Sequence, residues 1–252
     1  MAEHCVLLRR LPRRLLAWYG KAKRQLPWRD TRDPYRVWLA EVMLQQTRVD
    51  TVIPYYGRFL ARFPTLASVA EASCDEVLEL WAGLGYYARA RSFHAAARQV
   101  VRAHGGQVPR DPGALRALPG VGPYTAAAVL SIAYGVPVAA VDGNVARVLC
   151  RLFGLDGDPR ASAPGKRLRA LAEQLLPRSR PGDFNEAMME LGATLCTPRR
   201  PACDACCAAE LCEARRRGRQ DELPARARRK PVPHYDVAVG LVWRRGKLLL
   251  TK

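Results

Sequence analysis

The chain has 252 residues, 49% apolar and 25% charged, a composition that excludes disordered and fibrous classes. No apolar run reaches the roughly 20 residues of a membrane-spanning helix. Its 41 basic against 23 acidic residues leave a net charge of +18, which favours a polyanionic partner, nucleic acid first, through counterion release. Arginine outnumbers lysine 35 to 6, a bias that genome base composition can produce, but that bias does not explain the excess of base over acid.

In chain order, Cys5-Val6-Leu7-Leu8 is too short for a secretion signal and is followed by Arg9, Arg10, Arg13 and Arg14, so the cytoplasm is the expected address. Pro34 precedes an amphipathic helix that opens over residues 37–44, and a second helix runs from 51 to 63 and stops at Pro64. Further helices are predicted at 74–81, 87–103, 124–134, 145–153, 165–176 and 185–195, with glycine and proline at almost every junction. No strand pattern precedes residue 235, so the expected fold is all-α. Residues 215–233 carry two arginine clusters around an acidic-polar stretch, then Pro231 and Pro233, and read as a linker. Val237, Val239, Leu241 and Trp243 alternate, a turn follows at Arg244-Arg245-Gly246-Lys247, and Leu248-Leu249-Leu250 resumes, which predicts a β-hairpin. A lone hairpin is marginal in water, so residues 235–252 are expected to begin a β-containing domain that is cut short.

Five of the eight cysteines fall within seventeen residues. The spacing Cys196-x6-Cys203-x2-Cys206-x5-Cys212 can hold a cubane iron–sulfur cluster or a tetrahedral zinc. Zinc sites pair two close CxxC-like arms and only one is present, which favours iron–sulfur. Cys207 is a fifth thiol beside Cys206, and loop spacing ranks Cys206 as the ligand; Cys5, Cys74 and Cys150 read as ordinary buried thiols.

Leu118-Pro119-Gly120-Val121-Gly122-Pro123-Tyr124 places two glycines two apart between helices. The pattern is that of a tight hairpin with outward amides and a following helix N-terminus, a seat for phosphate, with glycine required for close approach of a nucleic-acid backbone. A plain interhelical turn is the alternative. Beyond it, Asp142 follows an apolar stretch and precedes a helix, as an N-cap or as a carboxylate at the rim of a cleft, with Asn144 placed to orient it.

Together these motifs resemble the helix-hairpin-helix, Gly/Pro-Asp superfamily of base-excision DNA glycosylases over residues 15–224. Pro27-Trp28-Arg29, Glu41-Val42-Met43-Leu44-Gln45-Gln46-Thr47 and Gly83-Leu84-Gly85-Tyr86-Tyr87 are similar to its adenine-specific, MutY-like branch. Bifunctional, endonuclease III-like members carry a lysine where Tyr124 stands; a phenol forms no imine, so base removal without efficient strand cleavage is expected.

The resemblance implies that Glu41 protonates adenine N7, its pKa raised in a partly apolar pocket, while Asp142 faces C1′ of the sugar. Glu186 lies near the catalytic water, with Tyr124 and Asn144 completing the catalytic set. It implies Gln46 and Tyr86 as the wedge that replaces the extruded base, and Arg29 and Trp28 as adenine-pocket residues, with the Arg29 guanidinium orienting Glu41. Leu118, Gly120, Val121 and Gly122 hold DNA. Trp28 and Tyr86 also read as packing residues. One [4Fe-4S] cluster on Cys196, Cys203, Cys206 and Cys212 is the implied cofactor. Double-stranded DNA containing adenine mispaired with 8-oxoguanine or guanine is the implied partner of a monomer with a bacterial-type, nucleoid-associated cytoplasmic life and no membrane. The expected organisation is a six-helix domain at 29–137 and a cluster domain formed by 1–28 with 138–224. A linker at 225–234 and the start of a truncated Nudix-like domain at 235–252 complete it. The alternatives are a bifunctional glycosylase/lyase and a non-catalytic metal-cysteine DNA-binding protein.

Overall fold

The computed structural model describes residues 2–225, 234–236 and 240–249. Most of the expected linker, and Val237, Val239 and Leu250 of the expected hairpin, lie outside the described residues.

The first helix, α1 (Ala2–Ala22), is absent from the sequence expectations. Its signal is a period of four: Leu7, Leu11, Leu15 and Tyr19 are all buried, and the arginines beside Leu8 belong to the outer face of a helix. Helix α2 (Pro34–Leu44) starts on Asp33, whose Oδ1 accepts from the Arg36 amide at 3.0 Å, with Pro34 at its first position. Helix α3 (Val49–Arg62) leads to α4 (Leu66–Glu71) and α5 (Cys74–Trp81). These two short helices are each opened by a reciprocal capping box, Thr65 with Ser68 and Ser73 with Glu76, which satisfies amides that so few turns leave free. Then come α6 (Ala88–His104), α7 (Pro112–Arg116), α8 (Pro123–Tyr134), α9 (Gly143–Phe153), α10 (Ser162–Leu175), α11 (Pro181–Thr194) and α12 (Glu213–Arg216). The strands among the described residues are Trp243–Arg244 and Lys247–Leu248, an antiparallel hairpin turning at Arg245-Gly246.

The fold is all-α, two-lobed and helix-hairpin-helix in type, with two separate apolar cores. One draws on residues 26–140 and centres on Trp38, Phe59, Phe63, Trp81 and Phe93, whose rings meet edge to face. The other joins α1 to residues 145–208, with Leu11, Leu15, Leu149, Leu175, Phe184 and Leu191 fully or almost fully buried.

The lobes meet where α11 crosses α8. Gly182 makes the crossing close: a Cβ there would lie 2.7 Å from the Ser131 carbonyl oxygen and 2.8 Å from Ile132 Cα. Asn185 fastens the seam with all its polar atoms buried. Its Nδ2 donates to Ser131 Oγ at 2.8 Å and to the Val138 carbonyl at 2.9 Å, and its Oδ1 accepts from the Ala140 amide at 3.1 Å. The segment that crosses between lobes is thereby held immediately before Asp142.

Gly182→Ala is expected to lower stability by about 1–3 kcal/mol, because backbone rather than a flexible side chain opposes the methyl. The measurement is a urea midpoint; a fall at unchanged m-value is the expected result.

Candidate active site and cysteine centre

Between the lobes lies a groove of about 580 Å³, walled by α2, α8, the start of α9, α11 and the segment around residues 24–29. Glu41 reaches it from α2, a helix in which Tyr35 and all of residues 37–43 are buried. At 7% exposure its carboxyl loses its water, and that burial pushes its pKa up to about 7. The Tyr124 hydroxyl, donating to Glu41 Oε2 at 2.7 Å, pulls it down, and the negative charges of Asp142 and Glu186 push it further up. Those two side chains therefore share one electrostatic environment with Glu41, and 101 positions of sequence separation are closed by the fold.

Asp142 is the N-cap of α9 and a groove residue at once. Its Oδ1 accepts from the Val145 amide at 2.7 Å and its Oδ2 from Asn144 Nδ2 at 3.1 Å. Burial raises its pKa; these hydrogen bonds oppose the rise and fix the carboxylate's direction. Asn144 is held in turn: its Oδ1 accepts from Arg147 Nη2 at 2.8 Å, and Arg147 also donates to the carbonyls of Gly192 at 2.8 Å and Cys196 at 2.8 Å. One hydrogen-bonded run thus joins Asp142 to the cysteine loop.

Tyr124 stands on the second residue of α8, half-buried, its hydroxyl 3.2 Å from Met189 Sδ. Burial first, then the charges of Glu41 and Asp142, keep the phenol protonated. No lysine is among the described residues that line the groove.

The structure corrects the expected role of Arg29. Its guanidinium does not meet Glu41; it donates to Glu190 Oε2 at 2.6 Å and to the Arg24 carbonyl at 3.0 Å. The reason is the demand of Glu190, whose side chain is wholly buried and also takes the Arg24 amide, Nε and Nη2 at 3.0, 2.8 and 2.7 Å. Burial alone would raise the Glu190 pKa, but these hydrogen bonds bring it down to about 2. Neither Arg24 nor Glu190 was expected; the available signal was Glu190 one helical turn beyond Glu186. Glu186 is held more loosely, 3.6 Å from Arg32 Nη1, and burial raises it to about 7 against the pull of Arg32 and Arg29. Trp28 is both groove wall and core, packed edge-on against Tyr56 at 5.4 Å.

Gln46 and Tyr86 project at the end of α2 and before α6, and both adopt left-handed backbone, φ 58° and 49°. In the hairpin, the side chains of Leu118 and Val121 are buried, and the Val121 amide donates to the Leu118 carbonyl at 3.1 Å, so outward contact falls to Gly120 and Gly122. The reason for Gly120 also differs from the expectation. Its φ is +75° and a Cβ would lie 2.7 Å from Ser92 Cβ, so packing on α6 requires glycine there; at Gly122 a Cβ would meet no protein atom within 4 Å.

Cys196, Cys203, Cys206 and Cys212 line one small apolar cavity, whose lining does not include Cys207; Cys207 packs against the second core together with Cys196, Cys206 and Cys212. Arg151, 2% exposed, donates to Cys196 Sγ at 3.3 Å and to the carbonyls of Thr197 at 2.7 Å and Leu223 at 2.9 Å. Arg199 and Arg200 are exposed on the same loop.

The model of the HhH-GPD superfamily base excision DNA repair protein family matches residues 39–174. Human adenine DNA glycosylase is 51% identical over 220 residues, 84% of this chain and 40% of that protein. The adenine DNA glycosylase of Buchnera aphidicola from Acyrthosiphon pisum is 35% identical over 87% of this chain and 63% of its own length. The chain spans 40–43% of the three mammalian relatives. Among solved structures, a thermostable thymine-DNA glycosylase superposes with TM-score 0.76 at 33% identity, covering 86% of this chain and 98% of that one. A trapped endonuclease III–DNA covalent intermediate gives 0.71 at 25% identity, covering 84% and 97%.

The raised pKa of Glu41 has a cost in stability. Because its folded value, about 7, exceeds its unfolded value of 4.5, its contribution is intact below pH 4.5 and is lost as pH rises through 7. Glu41→Gln is therefore expected to stabilise the protein by about 1–3 kcal/mol at pH 8 and much less at pH 5, read from melting temperatures at the two pH values.

Proposed function

Because this chain belongs to the HhH-GPD superfamily of base excision DNA repair proteins, we propose that it hydrolyses the N-glycosidic bond of adenine mispaired with 8-oxoguanine or guanine in duplex DNA, without cutting the strand. The observation that carries this reading is a carboxyl group with a pKa near 7, Glu41, sharing a groove with a second, hydrogen-bonded carboxylate, Asp142, and with a phenol in place of an amine. Its names come from relatives of greater length, and the groove's chemistry supports it independently.

Adenine leaves poorly as an anion, so its ring nitrogen must be protonated as the bond breaks. Glu41 is the proton donor, half-protonated near neutrality because burial disfavours its charge. As the bond lengthens, positive charge grows on the sugar, and Asp142 is the fixed negative group that stabilises it. The cap hydrogen bond and Asn144 orient that carboxylate before substrate arrives. Glu186, with its pKa also raised to about 7, is the group suited to accept a proton from the attacking water. Tyr124 lies against Glu41 and offers the sugar no amine with which to form an imine. A volume near 580 Å³ is within the usual range for a ligand pocket and suits a base extruded from the duplex. Gly120, Gly122 and the start of α8 are the proposed phosphate seat.

For the four cysteines we propose a [4Fe-4S] cluster. Cys196, Cys203, Cys206 and Cys212 line one small apolar cavity, and four thiols on so short a loop suit a cubane. Buried Arg151 has carbonyls and a thiol as its partners, and its charge fits a thiolate-ligated cluster of net negative charge. Bound there, the cluster cross-links the loop that carries Arg199 and Arg200, and supplies no step at the groove.

Incubation with an adenine:8-oxoguanine duplex is expected to give strand breaks only after alkali; breaks without alkali, or a borohydride-trapped complex, would overturn the monofunctional assignment. Under single turnover the rate should peak near pH 7 and fall on both sides, since Glu41 acts protonated and Glu186 acts ionised. Glu41→Gln and Asp142→Asn should each lose on the order of 10²–10⁴-fold in rate while retaining duplex affinity. Iron and acid-labile sulfide should accompany the purified protein with brown colour, and zinc without iron would remove the cluster assignment.

A further inference from the structure

Two residues of the described chain that carry exposed side chains on strained backbone, Gln46 and Tyr86, lie forty positions apart and are linked through one arginine, which bonds Gln45 and Thr47 on either side of Gln46 and lies against the ring of Tyr86. Arg89, in the first turn of α6, sends Nη1 to the carbonyls of Val42 and Met43, both at 2.9 Å, and to that of Gln45. Its Nη2 reaches Thr47 Oγ1 at 3.0 Å and the carbonyls of Leu84 at 3.4 Å and Gly85 at 3.3 Å. The same guanidinium lies 5.6 Å from the ring centre of buried Trp81 and 5.4 Å from that of Tyr86, which is 60% exposed.

This arrangement answers two local problems with one side chain. Helix α2 ends with carbonyls that have no helical partner; the chain leaves it in a tight turn, Gln45 at φ −58° and ψ 112° and Gln46 at φ 58°, in which the Thr47 amide donates to the Leu44 carbonyl at 3.3 Å, and Arg89 takes the carbonyls of Val42, Met43 and Gln45. A cation placed on those carbonyls stabilises the helix end without glycine. The loop before α6 has the same difficulty, with Tyr86 in the left-handed region and two carbonyls turned inward. The planar fork of arginine can serve both sides at once; the three donors of a lysine ammonium radiate from a single point and cannot.

Resting on the duplex reading given above, we infer that Arg89 is a positioning residue that locks Gln46 and Tyr86 into one rigid insertion edge, so that its loss impairs extrusion of the target base and leaves the chemistry at Glu41 and Asp142 intact. Strained non-glycine residues persist only where surroundings over-determine them. Here the over-determining group is shared, so the two projecting side chains keep a fixed spacing. A duplex pressed against them meets a preformed edge, and no ordering entropy is lost at the moment of unstacking.

The test compares the parent with Arg89→Lys and with Thr47→Val, which removes one acceptor and leaves the guanidinium in place. Each is given two substrates under single turnover: a duplex with a mispaired adenine, and one whose adenine sits in an unpaired bulge flanked by abasic sites and so has no neighbouring base to unstack from. Arg89→Lys should lose at least tenfold on the mispair and less than twofold on the bulge, with an unchanged pH profile; Thr47→Val should move the same way by a smaller factor. In parallel, 2-aminopurine replaces the target adenine, and its fluorescence reports unstacking without bond cleavage. Equal losses on both substrates, or an unstacking signal as large as the parent's, would overturn the inference. If the parent unstacks 2-aminopurine yet excises nothing, and Arg89→Lys fails to unstack it, the glycosylase reading falls and the positioning role stands. A parent that does neither removes both.

Discussion

The withdrawal of the Glu41 carboxyl from water is the constraint on which the rest of the molecule turns. A carboxyl with a pKa near 7 exists because α2 is buried on nearly every side and because the charges that act on Glu41 are those of two acids, Asp142 and Glu186. That is an unusual arrangement in a chain with eighteen more positive than negative charges. An arginine at hydrogen-bond distance would return Glu41 to ordinary acidity. The fold prevents this by giving each nearby arginine a stronger claimant: Arg24 and Arg29 are tied to Glu190, and Arg32 to Asp183 at 2.5 Å. Glu190, at about 2, thus belongs to the same system as Glu41 although its state is opposite. Four acidic groups line one groove, and their environments raise the proton affinity of Glu41, Asp142 and Glu186 while lowering that of Glu190.

The seam between the lobes makes this possible. Each lobe has its own core, so neither needs the other for its apolar packing, and their contact surface is free to hold polar groups. Gly182 permits the close crossing and Asn185 pins the connecting segment. A second close approach, where a Cβ on Gly192 would lie 2.7 Å from Asn144 Cβ, seats the start of α9. The position of Asp142 relative to Glu41 is therefore set by backbone contacts, which deform less readily than side chains.

Much of this architecture was readable in advance, for identifiable reasons. The helices at 51–63, 74–81 and 124–134 announced themselves by apolar spacing and by Gly or Pro at their ends, and the observed elements overlap them closely. Helix α1 escaped because its opening apolar residues were weighed as a targeting segment rather than placed on a period of four; Leu11, Leu15 and Tyr19 continue that period to the end. Glu41 came forward through family likeness, yet a physical cue was present: it is the single charge in Val37-Trp38-Leu39-Ala40-Glu41-Val42-Met43-Leu44. A charge in an otherwise apolar run must be paired or be perturbed. Glu190 carried the same cue in Ala187-Met188-Met189-Glu190-Leu191, whereas Arg24 and Arg89 had none, since their roles arise from partners 42 to 166 positions away. Long-range pairing of polar groups leaves no periodicity behind.

Structural and chemical readings of a residue turned out to be one reading at several positions. Asp142 caps α9, and the cap hydrogen bond is what aims its carboxylate. Trp28 packs in a core and walls the groove. Gly120 is demanded by Ser92 and by its own backbone, and its exposure at the hairpin follows from that packing. A site that must hold a carboxylate to within a fraction of an ångström draws on groups already immobilised for stability, because immobilising them separately would cost further conformational entropy. The same economy explains why the run from Asp142 through Asn144 and Arg147 ends on the carbonyl of Cys196. That loop carries the four cysteines proposed to hold a cluster, and a displacement of it is transmitted to the carboxylate through three hydrogen bonds.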